Sequence, residues 1–226
     1  LEVGIMSGPE LVFEILSDGA GRRTASLREG KIEYGGALYD ELYFDAETLS
    51  TMFAQPSFVL HDVTIGVGFH WERKETQKFA GALKIIVDKG RLTAVNVVGV
   101  EDYLLSVISS EMSASATEEF LKAHAVISRS WVMAQIASAR QHKSKPVPEG
   151  VCNVPALMTD LDTRLNSGDT IKSEYAHRYT VWYDHEDHHS FDVCADDHCQ
   201  RYQGLTRATG STVRKAIDST WGQVLT

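Results

Sequence analysis

Residues Val100–Trp131 read VEDYLLSVISSEMSASATEEFLKAHAVISRSW, and their patterning decides how the chain is organised. Between Asp102 and Ser110, Tyr103 or Leu104, Val107 and Ile108 recur at helical spacing. Ser113–Thr117 is a run of small residues that reads as a loop. Thr117, or Ser115, is placed to cap a second helix, with Glu118 and Glu119 in its first turn, where the helix dipole favours negative charge. From Phe120 to about Ala139 this helix is apolar almost all round, a pattern that predicts burial on every side. One carboxylate, Glu111, falls at the break between the two helices. An acid at such a break can be shielded from water on one side and open to a ligand on the other. In general that setting favours the protonated form and makes a carboxyl a proton donor near neutral pH. The residues alone leave a second reading open, a buried structural glutamate in an ordinary helical hairpin.

Upstream, residues 1–98 read as β-rich. LEVGIM, LVFEIL, SFVL, VTIGVGF, LKIIV and RLTAVNVV are short β-branched or aromatic runs, separated by the glycine-containing turns SDGAG, REGKIEYGG and DKG. Asp88-Lys89-Gly90 predicts a tight hairpin in which Gly90 supplies a positive φ. ELYFDAETLSTMF, from Glu41, is open between strand and short helix. Downstream, residues 99–226 divide into a helical hairpin (101–140), an insertion (141–186) and a Cys/His segment (187–204). HKSKPVPEG, with two prolines, ends the second helix. The insertion is poorly patterned, with some helix expected around Met158–Leu165, and Ser211–Asp218 reads as a short helix. The fold class expected is therefore α+β, with no internal repeat.

At 226 residues the chain can form one large or two small domains around a real core. Its net charge of −9 argues against a nucleic-acid partner, because no basic field exists to attract phosphate, but leaves a neutral glycan open. No run of eighteen apolar residues occurs. The opening LEVGIM lacks an initiator Met and a leader, which predicts a mature or trimmed form. Three cysteines do not make a disulfide framework.

Lys122 and Arg129 lie seven apart on one helix face, so each must reach a carboxylate, a carbonyl or a ligand. Arg129 either fixes the hairpin through Glu101, Asp102 or Glu111 or holds a ligand. A serine nucleophile at Ser128 or Ser130 is not expected, since no His-Asp partner is evident. His124 reads as a satisfied core histidine. The second cluster is His185, His188, His189, Cys194, His198 and Cys199. Two thiolates and two imidazoles suit tetrahedral zinc, although the adjacent His198 and Cys199 are unlike a zinc finger. A Cys194–Cys199 disulfide, or free thiols beside solvated histidines, remain as alternatives. Zinc held by four protein ligands would be structural.

Val-Glu-Asp-Tyr-Leu, then Glu-Met, then Leu-Lys-Ala-x-Ala-Val-x-x-Arg-Ser resembles the signature of the stage II sporulation protein D family. FAGALKIIVDKGRLTAVNVV (Phe79–Val98) resembles the hairpin that precedes it, and HCQRYQG (His198–Gly204) resembles the family's His-Cys-Gln-x-Tyr-x-Gly segment. The resemblance implies an extracytoplasmic lytic transglycosylase of the cell envelope acting on peptidoglycan glycan strands, with Glu111 as its acid. It implies zinc near the active site, held by Cys194, His198, Cys199 and one upstream histidine, with His188 preferred over His189. Lys122, Arg129, Ser130, Gln200 and Tyr202 become candidate glycan contacts. WGQVLT resembles the start of a further family strand, so the chain is expected to stop before the end of the family domain. The alternative the resemblance carries is a non-catalytic glycan-binding module that recruits or stimulates an amidase.

Overall fold

The computed structural model describes residues 1–45, 55–112, 116–143 (backbone alone over 138–143), 188–208 and 210–225, and the chain is α+β. Ten strands come first: β1 Glu2–Gly8, β2 Glu10–Ile15, β3 Arg22–Arg28, β4 Lys31–Tyr34, β5 Ala37–Tyr39, β6 Glu41–Phe44, β7 Phe58–Ile65, β8 Arg73–Phe79, β9 Ala82–Asp88 and β10 Arg91–Val97. Helices α1 (Val100–Glu111) and α2 (Glu118–Lys143) follow, then strand β11 (Val193–Cys194) and helix α3 (Ser211–Ser219). One sheet has the order β11-β1-β10-β9-β6 and the other β5-β4-β3-β2-β7-β8. Alternation along the strands turns Val3, Leu11, Phe13, Ala25, Ile32, and Leu92 into a common core, each fully buried. Burying one such large side chain stabilises by roughly 1.5–3 kcal/mol. Among the described residues no helix is long and apolar enough to cross a membrane.

The hairpin at Asp88–Arg91 forms as expected, with both Lys89 (φ 48°) and Gly90 (φ 72°) left-handed. SFVL and VTIGVGF prove to be one strand, β7, bent by a bulge between Leu60 and Val63 where Asp62 takes φ 56°. REGKIEYGG is not a single turn. It holds β4, flanked by two tight reversals at Glu29-Gly30 and Gly35-Gly36, all four residues at positive φ. Strands β3 and β8 also lie outside the expected set, because RRTASLR and RKETQKF put most of their charged side chains on the solvent face. The Glu41 stretch begins as strand β6, and residues 46–54 lie outside the described residues. So do Cys152 and the helix expected around Met158–Leu165.

Helix α1 buries Tyr103, Leu104, Leu105, Val107 and Ile108 on the core, and α3 packs against it through the same layer. Thr117 caps α2, accepting from the Phe120 N–H at a long 3.4 Å. Burial of α2 on every side does not occur. Leu121, Ala125, Ser128, Arg129, Val132 and Ile136 form one buried stripe, while Phe120, Ile127 and Met133 on other faces are about half exposed. Ala123, Ala134 and Ala137 are exposed there too, so large and small apolar side chains alike made the helix look buried all round. WGQVLT likewise pairs with no strand: Trp221–Leu225 is a turn and an extended tail that lies along α2, where Arg129 Nη1 donates to the Gln223 carbonyl and the Leu225 N–H donates to Ser130 Oγ. Leu1–Arg140 and His188–Thr226 belong to one compact unit.

Arg129 is the one buried cation among the described residues of the hairpin, and its fork grips Glu101 at 2.9 and 2.6 Å. Arg129→Met should cost about 3–5 kcal/mol in denaturant unfolding, because it strands the Glu101 charge; the double variant Arg129→Met/Glu101→Leu should recover most of that loss. Equal losses in both variants would show that packing, not the stranded charge, is what matters.

Candidate functional site

The Cys/His segment is sewn into the sheet before it reaches Glu111. β11 lies parallel to β1, with Val193 opposite Val3 and Cys194 opposite Gly4. The Glu2 N–H donates to Asp192 Oδ2 at 2.9 Å, and the Ala195 N–H donates to the Gly4 carbonyl at 2.9 Å. Gly4 must lack a side chain here, since a Cβ would meet the Phe191 ring at 2.5 Å. At the far end, the Tyr202 hydroxyl donates to Asn96 Oδ1 at 2.6 Å, and Asn96 Nδ2 donates to the Ala80 and Ala82 carbonyls. Tyr202 stacks on Tyr103 at 5.1 Å. Burial pushes both phenols far up, so both stay protonated as donors. Gly204 (φ +58°) completes the anchor, because a Cβ there would run into the Lys78 carbonyl.

Between these anchors the backbone N–H of Arg201 donates to Glu111 Oε1 at 3.1 Å. The other carboxylate oxygen, Oε2, lies 3.1 Å from His124 Nε2. Glu111 thus ends α1 with each oxygen held by a different element, its side chain still 26 % exposed. His124 is not a satisfied core histidine. It faces Glu111, and its buried Nδ1 has no partner. With its proton on Nε2 the imidazole donates to the carboxylate and leaves a bare lone pair on Nδ1. Met112 and Trp131 are partly buried against the core.

The other expected contacts fall in several places. Lys122 pairs with Glu118 and Glu119 at 2.8 and 2.9 Å on the helix surface. Ser130 Oγ donates to the Val126 carbonyl at 2.5 Å, and Arg129 is held as described above. Gln200 Oε1 accepts from the Tyr103 hydroxyl at 3.2 Å, one residue before Arg201. Tyr202 is only 3 % exposed. Two residues take places that the sequence reading did not give them. His124 is thirteen positions from Glu111 along the chain and meets it only because the hairpin folds back. Arg201 acts through its backbone, which no residue type announces.

His188, Cys194, His198 and Cys199 converge, with one donor atom from each inside a 4.8 Å sphere of mutual distances. His188 Nε2 lies 3.3 Å from His198 Nδ1, Cys199 Sγ lies 3.5 Å from both imidazoles, and Cys194 Sγ lies 3.8 Å from His198 Nδ1. A tetrahedral ion at ordinary zinc–sulfur and zinc–nitrogen lengths sets edges of about 3.3 Å between nitrogens and about 3.6 Å between nitrogen and sulfur. The four separations given above lie close to those edges, so the cluster can hold a metal. Cys194 and Cys199 are free thiols, not a disulfide. Hydrogen bonding with Cys199 first, then with His188, the Asp196 backbone and His198, outweighs burial and holds the Cys194 thiol far below its usual range, while the hydrogen bond with Cys194, then burial, pushes Cys199 up.

The sequence matches the family model of the stage II sporulation protein, SpoIID, over residues 88–158 and 170–226, more than half of the chain, and the protein belongs to that family. Neither the curated proteins nor the solved structures contain a match. Family membership ties the chain to cell-wall-related work.

Metal-free protein should take up one Co²⁺ per chain with the visible absorption of a tetrahedral thiolate site. Cys199→Ser should weaken both uptake and the sulfur-to-cobalt charge-transfer band. A purely octahedral, oxygen-type spectrum would show that the four donors do not act together.

Proposed function

We propose that the protein is a peptidoglycan lytic transglycosylase in which Glu111 is the acid. The observation that carries this reading is a single carboxylate fixed at both oxygens, by the Arg201 N–H and by His124, yet open to solvent at the end of α1. Most glycoside hydrolases need two carboxylates, one of them to activate water or attack the sugar. An intramolecular transfer needs only one. Glu111 gives its proton to the glycosidic oxygen as that bond breaks, and the muramoyl C6 hydroxyl of the same sugar attacks the anomeric carbon. The carboxylate then takes up the hydroxyl proton, which restores the acid and leaves a 1,6-anhydro end. His124 and Arg201 keep the carboxyl aimed through both transfers, so little reorganisation is needed at the moment of reaction.

Zinc is the ion we assign to the Cys/His cluster, because two thiolates and two imidazoles leave no open position for water. Its part is structural: it would tie His188 to the loop that supplies Arg201. The substrate places the work outside the cytoplasm, in the cell envelope. An acidic surface suits a glycan freed of its peptides better than any polyanion.

Glu111→Gln keeps the shape and loses the transferable proton. Release of 1,6-anhydro ends from purified glycan, followed by mass spectrometry, should fall by roughly 10²-fold or more while the polymer is still retained. If the unaltered protein retains glycan but never releases such ends, it is a binding module of the amidase-recruiting kind.

A further inference from the structure

The turn between β7 and β8 leaves apolar side chains in the open and nevertheless fixes them. Val67 is exposed, Phe69 is 52 % exposed, and Trp71 is half-buried. Phe69 stacks on Trp71 with ring centroids 5.4 Å apart and planes 17° from parallel. Trp71 is fixed in turn. Gly66 (φ +68°) leaves the room that its ring occupies, where a Cβ would collide with it, and the Arg201 guanidinium lies 5.5 Å from its centroid. The backbone of the turn is closed as well. The Phe69 N–H donates to the Gly66 carbonyl and the Glu72 N–H to the Phe69 carbonyl, both at 3.0 Å. Glu72 Oε2 accepts from the Gly68 N–H at 2.8 Å. Ordering an exposed aromatic pair costs conformational entropy and adds little to the core, but it removes that cost from a later binding step.

The chemistry of the turn narrows what it can bind. The charge of Arg201 is already met by Asp197, at 2.9 and 3.1 Å, and by the Trp71 ring, so this cation does not call for an anion. Two rings and a valine offer far less than the roughly 800 Å² per partner that a stable protein interface needs. An aromatic face is electron-rich and attracts C–H bonds that carry partial positive charge. A pyranose is about as wide as one such ring, and its oxygens polarise the C–H bonds along its face in that sense. Position supports the same class of ligand. The backbone N–H of Arg201 holds Glu111, while its guanidinium lies over Trp71. One arginine thus joins the ring pair to the carboxylate, a distance that the neighbouring units of an oligosaccharide held at Glu111 can span.

We infer that Phe69 and Trp71 form a sugar-stacking subsite beside Glu111, with Phe69 as the ring that meets the face of one pyranose and Trp71 as its support. The inference rests on the reading of Glu111's ligand as a glycan, and it adds the residue that grips the strand away from the acid.

The test measures binding alone, in the Glu111→Gln background, so that turnover plays no part. The probe is a tetramer of N-acetylglucosamine, followed by calorimetry. Phe69→Ala should weaken its binding roughly tenfold, the loss of one stacked ring. Phe69→Leu keeps an apolar side chain without a ring and should lose as much, whereas Phe69→Tyr should bind within about twofold of the parent. All three should keep the parent's thermal midpoint, because the side chain stands half in solvent. Parent-like affinity in Phe69→Ala or in Phe69→Leu would overturn the inference, and so would a parent that binds no tetramer. A third result would also overturn it: Phe69→Ala that keeps its saccharide affinity but no longer sediments with phosphatidylglycerol vesicles would make the turn a membrane contact. Release of 1,6-anhydro ends by a protein whose Phe69 variants bind normally refutes the subsite alone. Phe69-dependent binding without any cleavage refutes the acid alone, so the two readings are separately decided.

Discussion

The Tyr202 hydroxyl donates to Asn96 inside the core, and the positions of both candidate sites follow from that bond. Asn96 is fully buried in β10, and its amide is spent on Tyr202 and on two carbonyls at the β8–β9 corner. A buried polar network of this kind holds its members firmly when every atom is satisfied, and is costly when one is not. Tyr202 comes directly after Arg201 and three residues after Cys199 in the chain. Fixing its ring on Tyr103 therefore fixes, within one residue, the N–H that holds Glu111, and within three the first thiol of the cluster. A long loop bearing functional groups is made rigid by one phenol.

What could be read from the sequence was what local chemistry decides. The Lys89-Gly90 turn, the Thr117 cap and the limits of α1 and α3 depend on residues within a few positions of one another. Strands β3, β4 and β8 were not legible, because each buries only one or two positions and the rest of its length looks like charged surface. For α2 the error had another source: an apolar side chain that stands exposed, such as Phe120, Ile127 or Met133, looks the same in sequence as one that packs. The Cys/His cluster was visible from residue type and its four members were narrowed by the family resemblance, whereas the partners of Glu111 were legible from neither. One is a histidine indistinguishable from core, and the other is a main-chain donor from ninety residues away.

The hairpin and the loop divide the labour between them. The Arg129–Glu101 pair ties α2 to the start of α1 and takes in the Gln223 carbonyl as well, so the charge of Arg129 is met from both sides. Glu111, at the opposite end of α1, is held instead by a main-chain N–H and a histidine. Nearly the length of the helix separates Glu111 from the Arg129–Glu101 pair, so the two carboxylates share no partner.

The parallel seam between β1 and β11 has a consequence for how the chain reaches this state. β1 is an inner strand only once residues near position 193 arrive; until then one whole edge of it, open in both donors and acceptors, is available to any other strand. Closing so long a loop adds little to the equilibrium cost, about 0.6 kcal/mol for each doubling of length. It delays the event instead, because the sheet can be nearly complete while its last strand is still far away. Residues Glu2–Gly8 thus depend on residues near 193 to cover an adhesive edge that is exposed until they arrive.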